Sequence, residues 1–183
     1  MPSPHAVQLL VWSENILNPV AAEVGVYVAR TSQALLVGRG TLTLHMIDSW
    51  APHREGLEYN DTGDFHAHLS AAEQERYYQM ARTKVAFAGR RAVIHRMDSV
   101  AAAAKFPNYF FHFVFIDADH SYEGCLRDIM AWLPKVQRGG FISGHDYDNP
   151  DYPQFGVKRA VDEFFGSSVE TGMGTTWRVK IPK

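Results

Sequence analysis

Residues 113–124, FVFIDADHSYEG, constrain the fold more than any other stretch, because an apolar, β-branched run ends abruptly in two aspartates and a histidine. A strand buried on both faces cannot keep Asp117, Asp119 and His120 in its middle without stranding charge in an apolar interior. They therefore belong where the strand emerges, at its carboxyl end, which in an open α/β sheet is the edge where ligands bind. The same order returns in residues 137–147, QRGGFISGHDY, where a glycine turn and a short strand lead into His145 and Asp146. Two neighbouring strands of this kind deliver carboxylates and imidazoles to one crevice.

The rest of the chain supplies the sheet. Strands are predicted over 21–28, 42–48, 91–98, 113–117 and 139–144, with helical stretches between them at 31–38, 70–87, 100–106 and 122–136. This alternation predicts a parallel sheet covered on both faces. A helix over 156–166 and two short strands, SVET and TWRVKI, complete it as a terminal antiparallel hairpin. The expectation is α/β: a Rossmann-like three-layer sandwich with a mostly parallel seven-stranded sheet, residues 1–183 forming one domain.

Thr31 or Ser32 is placed to cap the helix at 31–38, and Ser70 with Glu73 forms a capping box for the next one. Residues 49–69 break the rhythm. A connection that long in a compact domain serves as a lid or binding loop, or is mobile. Its acids Glu55, Glu58, Asp61 and Asp64 are expected on a solvated surface, as are His53, His66 and His68. His45 is expected as a core histidine and the single cysteine, Cys125, as a packing residue.

A chain of 183 residues buries roughly 70% of the surface its unfolded form exposes. The net charge of −2 with scattered Lys and Arg gives no field for nucleic acid or an acidic membrane. One cysteine excludes an internal disulfide framework. No apolar run approaches the ~18 residues of a membrane span, and the start MPSPHAVQ lacks the regions of a signal peptide. The expected setting is cytoplasmic and the expected partner a small-molecule acceptor, with no nucleic acid and no membrane; a homo-oligomer stays open.

Polar residues at the strand ends locate the chemistry. After the first strand comes Gly25, where a backbone can approach a ligand, with Tyr27 in the same turn. Asp48 closes the second strand 23 residues later, the distance at which a carboxylate accepts the ribose hydroxyls of an adenosine-containing cofactor. Ser49 follows it, and Trp50 is placed either to cover an adenine ring or to pack in the core. Asp98 and Ser99 end the third strand, where an adenine amino group would be met.

These pieces together resemble a known family. EVGVY (23–27), MIDSW (46–50), RMDS (96–99), FIDADHSYEG (115–124), LPKVQRGGFISGHDY (133–147) and FGVKRAVDEFF (155–165) are similar, in order, to class I S-adenosylmethionine-dependent methyltransferases of the family 24 branch. The resemblance implies that Glu23 and Gly25 hold the methionine part of S-adenosylmethionine, Asp48 the ribose, and Asp98 with Ser99 the adenine side. It places Asp117 at the reaction centre. The chain departs from the family at Ala29, where glycine is common.

Two further roles follow from the resemblance. Related small-molecule O-methyltransferases hold a divalent metal with acids after the fourth and fifth strands, and the matching positions here are Asp117, His145 and Asp146. Carboxylates suit Mg²⁺, whereas a histidine among them admits a transition metal. Alternatively His120 first and His145 second, beside Asp146, take the proton of an acceptor hydroxyl, a task suited to a histidine near its ordinary pKa. The expected activity is methyl transfer to a small acceptor, at oxygen. A cofactor-binding module without catalysis and a nicotinamide-dependent oxidoreductase are the alternatives, the second weakened by the lack of a full G-x-G-x-x-G.

Overall fold

A computed structural model of the protein describes residues 1–53, 56 and 58–183. Its strands are β1 (Val20–Val24), β2 (Thr43–Asp48), β3 (Ala92–Arg96), β4 (Phe111–Ile116), β5 (Val136–Gly144), β6 (Glu170–Thr171) and β7 (Trp177–Lys180). They form one seven-stranded sheet in the order β3-β2-β1-β4-β5-β7-β6. The first five run parallel, and β7 lies antiparallel to both β5 and β6. This is the predicted mostly parallel sheet with its antiparallel end. The strand order reverses between β1 and β4, so the ligand crevice of such a sheet opens outside their carboxyl ends.

Alternation along the strands builds the two cores. Ala21, Leu44, Met46, Phe113 and Phe115 face α1 (Pro4–Trp12), α2 (Arg30–Gly38) and α3 (Ala71–Val85). Ala22, Val24, Ile47, Val114 and Ile116 face α4 (Ser99–Ala103), α5 (Tyr122–Trp132) and α6 (Val157–Phe165). Cys125 is buried in the second core with Ile129 and Trp132. Among the described residues no helix is long and apolar enough to cross a membrane.

The starts of α3 and α5 follow local chemistry. Ser70 and Glu73 make the reciprocal capping box of α3, and Ser121 caps α5 by accepting the Gly124 amide. The expected cap of α2 by Thr31 or Ser32 is overturned: the capping position is Ala29, left-handed at φ 57° and ψ 41°, with no side-chain bond. The two hydroxyls lie inside the helix and reach other partners, Thr31 pairing with His5 and Ser32 with Glu23. Residues 49–69 carry two single 3₁₀ turns, Glu58–Asp61 and Phe65–His68. Arg54, Glu55 and Leu57 lie outside the described residues, and with them the expected exposure of Glu55.

Candidate functional site

The site is built around one main-chain junction. Where β1 ends, the Gly25 amide donates to Ile47 O at 2.9 Å, and the Asp117 amide at the end of β4 donates to Val24 O at 2.7 Å. Gly25 has φ +87°, and a Cβ there would stand 1.9 Å from the Asp117 carbonyl oxygen. Only glycine permits both the backbone conformation and the approach. The turn that follows is strained: Tyr27, Ala29 and Trp50 after β1 and β2, and Asp146 after β5, all have positive φ without being glycine. Such residues persist where surrounding structure holds them and cluster at functional sites.

At the exits of β1–β3 the polar residues are tied into local structure. Asp48 Oδ2 accepts the amides of Val26 at 3.0 Å and Tyr27 at 2.9 Å, while Oδ1 accepts that of Trp50 at 2.8 Å. Asp48 thus holds the glycine turn in shape and remains half-buried. Ser49 accepts the Ala51 amide at 3.3 Å. Asp98 is exposed and caps α4 through the Ala101 amide.

Ser99 turns inward instead, donating to Asp128 at 2.6 Å and accepting from Trp132 Nε1 at 2.9 Å. Burial pushes the Asp128 carboxyl up to about 7, against the Ser99 hydrogen bond. Trp50 likewise goes to the core. Its ring is 1% exposed, packs on Tyr78 and donates Nε1–H to Tyr27 O, which removes it from contact with an adenine ring. Glu23, 2% exposed, receives the Ser32 hydroxyl proton, yet burial dominates and pushes its carboxyl up to about 8. It is an uncharged acid at neutral pH.

At the exits of β4 and β5 the polar residues are tied to one another. His120 Nε2 lies 3.0 Å from Asp146 Oδ2 and 3.3 Å from Asp117 Oδ1. His145 Nδ1 lies 3.0 Å from Asp146 Oδ2 and 3.6 Å from Asp117 Oδ1. Burial alone would lower both histidines, but the facing carboxylates prevail, holding His120 well above its ordinary value and His145 at about 10. The two aspartates are held well below the usual carboxylate range by the same pairing, against their own burial. Neither histidine therefore sits near its ordinary pKa, as a free imidazole base would.

The metal-ligand geometry also differs from the expected trio. The ligand atoms that converge within 4.8 Å belong to Asp117, His120 and Asp146. His145 stands at the edge of this group, its Nδ1 facing the same two aspartates, its Nε2 3.4 Å from Thr175 Oγ1 and its ring edge-on to His5 at 4.4 Å.

Further participants lie outside the candidates read from the sequence. His5, from α1, touches both Thr31 and His145. Phe155 stacks flat on the His120 ring at 4.6 Å and 7°. Asp64 is 4% exposed and bonded to His120, which overturns its expected place on a solvated surface. His66 belongs to the same network through Asp64. The signal for Asp64 was present but local: with His66 two residues on, it marks an Asx-type cap, and nothing nearby marks a distant imidazole.

The strand order, the glycine turn beside a carboxylate-bearing second strand and the acidic exit of β4 are those of a class I S-adenosylmethionine-dependent methyltransferase. The methyltransferase domain model of family 24 matches residues 22–147, and the chain belongs to that family. This decides for the methyltransferase over the oxidoreductase. The O-methyltransferase NovP is similar in structure, with TM-score 0.69 and 16% identity over 98% of this chain and 78% of its own. CalS11, a calicheamicin methyltransferase, has TM-score 0.71 and 15% identity over 96% and 77%. Cofactor-bound Rv0187 from MTB has TM-score 0.66 and 13% identity over 98% and 80%. At such identities the likeness is one of fold. No curated protein matches the sequence.

Proposed function

We propose that residues 1–183 act as one unit that methylates a hydroxyl oxygen of a small-molecule acceptor at the β4–β5 exit, with residues 49–69 closing over it. The observation that carries this reading is the convergence of Asp117, His120 and Asp146 within 4.8 Å, directly beside the Gly25 turn. When bound, S-adenosylmethionine supplies a methyl group on a sulfonium. The residues fit it: glycine at position 25 lets the turn after β1 pass against the Asp117 backbone and carry its neighbours to the β4 exit, and Tyr27 and buried Glu23 flank that turn for the methionine end. Asp48 and Ser49 serve the ribose and Asp98 the adenine edge. Ser99 serves it through its backbone, since its hydroxyl is committed to Asp128.

The acceptor hydroxyl loses its proton as it gains the methyl group. That proton passes to the Asp117–His120–Asp146 cluster, where the neutral form of the His120 imidazole is the stronger acceptor and the two aspartates, held well below the usual carboxylate range, compensate the charge it gains. Holding the acceptor oxygen in line with the donor is worth more than the proton transfer itself. NovP is an O-methyltransferase and CalS11 a TDP-rhamnose 3′-O-methyltransferase, which supports oxygen as the atom methylated.

A second reading has its own observation. Two carboxylate oxygens and an imidazole nitrogen in one place form a donor set for a divalent cation, Mg²⁺ by its oxygens and a transition metal by its nitrogen. Asp117, Asp146 and His120 would hold it, with His145 at the edge, and it would polarise the acceptor oxygen. Transfer of labelled methyl groups to a panel including TDP-rhamnose and catechol, with Mg²⁺, Mn²⁺ or EDTA, tests both readings. Label recovered only in amine acceptors overturns oxygen methylation, and equal rates in EDTA overturn the cation.

A further inference from the structure

We propose that Asp64, carried by the long loop, is a positioning residue of the reaction centre: it fixes which edge of the His120 imidazole faces Asp117 and Asp146. This rests on the reading that His120 Nε2 works at that centre, whether in the proton-accepting cluster or as a cation ligand.

The two nitrogens of an imidazole are equivalent in reach but lie on different edges of the ring. His120 Nδ1 lies 2.7 Å from Asp64 Oδ2, and with that edge engaged Nε2 is the nitrogen presented to Asp146 and Asp117. Phe155, parallel to the ring at 4.6 Å, sets its plane. Edge and plane together leave no free rotation.

Asp64 is itself fully engaged. Its Oδ2 also accepts the Tyr59 hydroxyl proton at 2.8 Å, and its Oδ1 faces the His66 amide at 2.9 Å and His66 Nδ1 at 2.8 Å. Its side chain is 5% exposed. Although burial works the other way, hydrogen bonds from His120 and His66 keep it ionised well below the usual carboxylate range. A carboxylate with this many partners has little capacity left for a ligand, so its function is to hold what it touches. Because Tyr59, Asp64 and His66 all belong to the loop, the imidazole is aligned only while the loop is seated. A carboxylate behind a working imidazole changes activity or metal affinity by 10–100-fold in other sites.

The test is Asp64→Asn, which keeps the shape and removes the charge. In the wild type bound to S-adenosylhomocysteine, nitrogen-15 NMR should show a slowly exchanging His120 Nδ1–H proton; in D64N that signal should vanish. With any reacting acceptor of the panel, kcat should fall about 10- to 100-fold, while affinity for S-adenosylhomocysteine stays within about twofold. Glu58→Gln is the control for simple loosening of the loop, since Glu58 anchors it on the Glu123 amide away from the centre; its Nδ1–H signal should persist. An unchanged signal in D64N, or equal loss in E58Q, overturns the proposal. His120→Gln separates the underlying reading: full kcat in H120Q removes His120 from the chemistry, whereas the D64N spectrum still decides what Asp64 holds.

Discussion

The two halves of the crevice spend their carboxylates differently. At the exits of β1–β3, Asp48 and Asp98 bind backbone amides at most a few dozen residues away and shape the turns that will meet a ligand. At the exits of β4 and β5, Asp117 and Asp146 bind imidazoles, one of which is held from the far side by Asp64, 56 residues distant in sequence. The first half is preformed by the main chain, and the second is assembled from side chains on several elements. If the proposed roles hold, binding and chemistry are thereby divided, and each half should fail in its own way.

The largest expected effect tests that division. Asp146→Asn, which removes the carboxylate facing His120 Nε2, should lower kcat by about 10²–10⁴-fold, the usual range for lost general acid–base catalysis, with affinity for S-adenosylhomocysteine changed less than about threefold. Asp48→Asn should do the reverse, weakening that affinity about tenfold through lost charge-assisted hydrogen bonds. Rapid-quench kinetics and calorimetry on the two variants would show it, and a shared loss in both quantities would dissolve the comparison.

The junction between the halves comes next. Gly25→Ala puts a methyl group against the Asp117 carbonyl in a left-handed backbone, so it should cost about 2–4 kcal/mol in denaturant unfolding and depress binding and turnover together.

A smaller effect is confined to the first half. The Glu23 carboxyl titrates at about 8 in the fold against 4.5 when unfolded. Between those values the folded state holds the extra proton, so stability is complete below 4.5 and is lost as pH rises towards 8. Glu23→Gln, which cannot ionise, should match wild type at pH 4.5 and become progressively more stable than it towards pH 8, read as diverging melting temperatures. The smallest is Ala29→Gly. Relief of the left-handed alanine, offset by glycine's added freedom in the unfolded chain, should raise stability by no more than about 1 kcal/mol.

The same contrast explains what was legible in the sequence. The apolar run ending at Asp117, the capping box at Ser70 and the order of strands are each written in a few adjacent residues, and the fold follows them. Thr31 and Ser32 misled as caps because their hydroxyls find deeper partners in His5 and Glu23. Trp50 offered two readings, and the core took it because its ring N–H reaches Tyr27 O. The expected trio of Asp117, His145 and Asp146 gains a closer imidazole in His120, whose Nε2 faces the same two carboxylates. The roles of Asp64 and His5 were not legible because their partners are tertiary, and no local pattern encodes a partner distant in sequence.

The close passage of Gly25 over the Asp117 carbonyl has a consequence for how this molecule could diversify. On the proposed reading, the distance between the turn after β1 and the β4 exit is set by two backbones locked together. Substitutions in the covering segment can therefore retune which compound is admitted while the reach of the transfer stays constant.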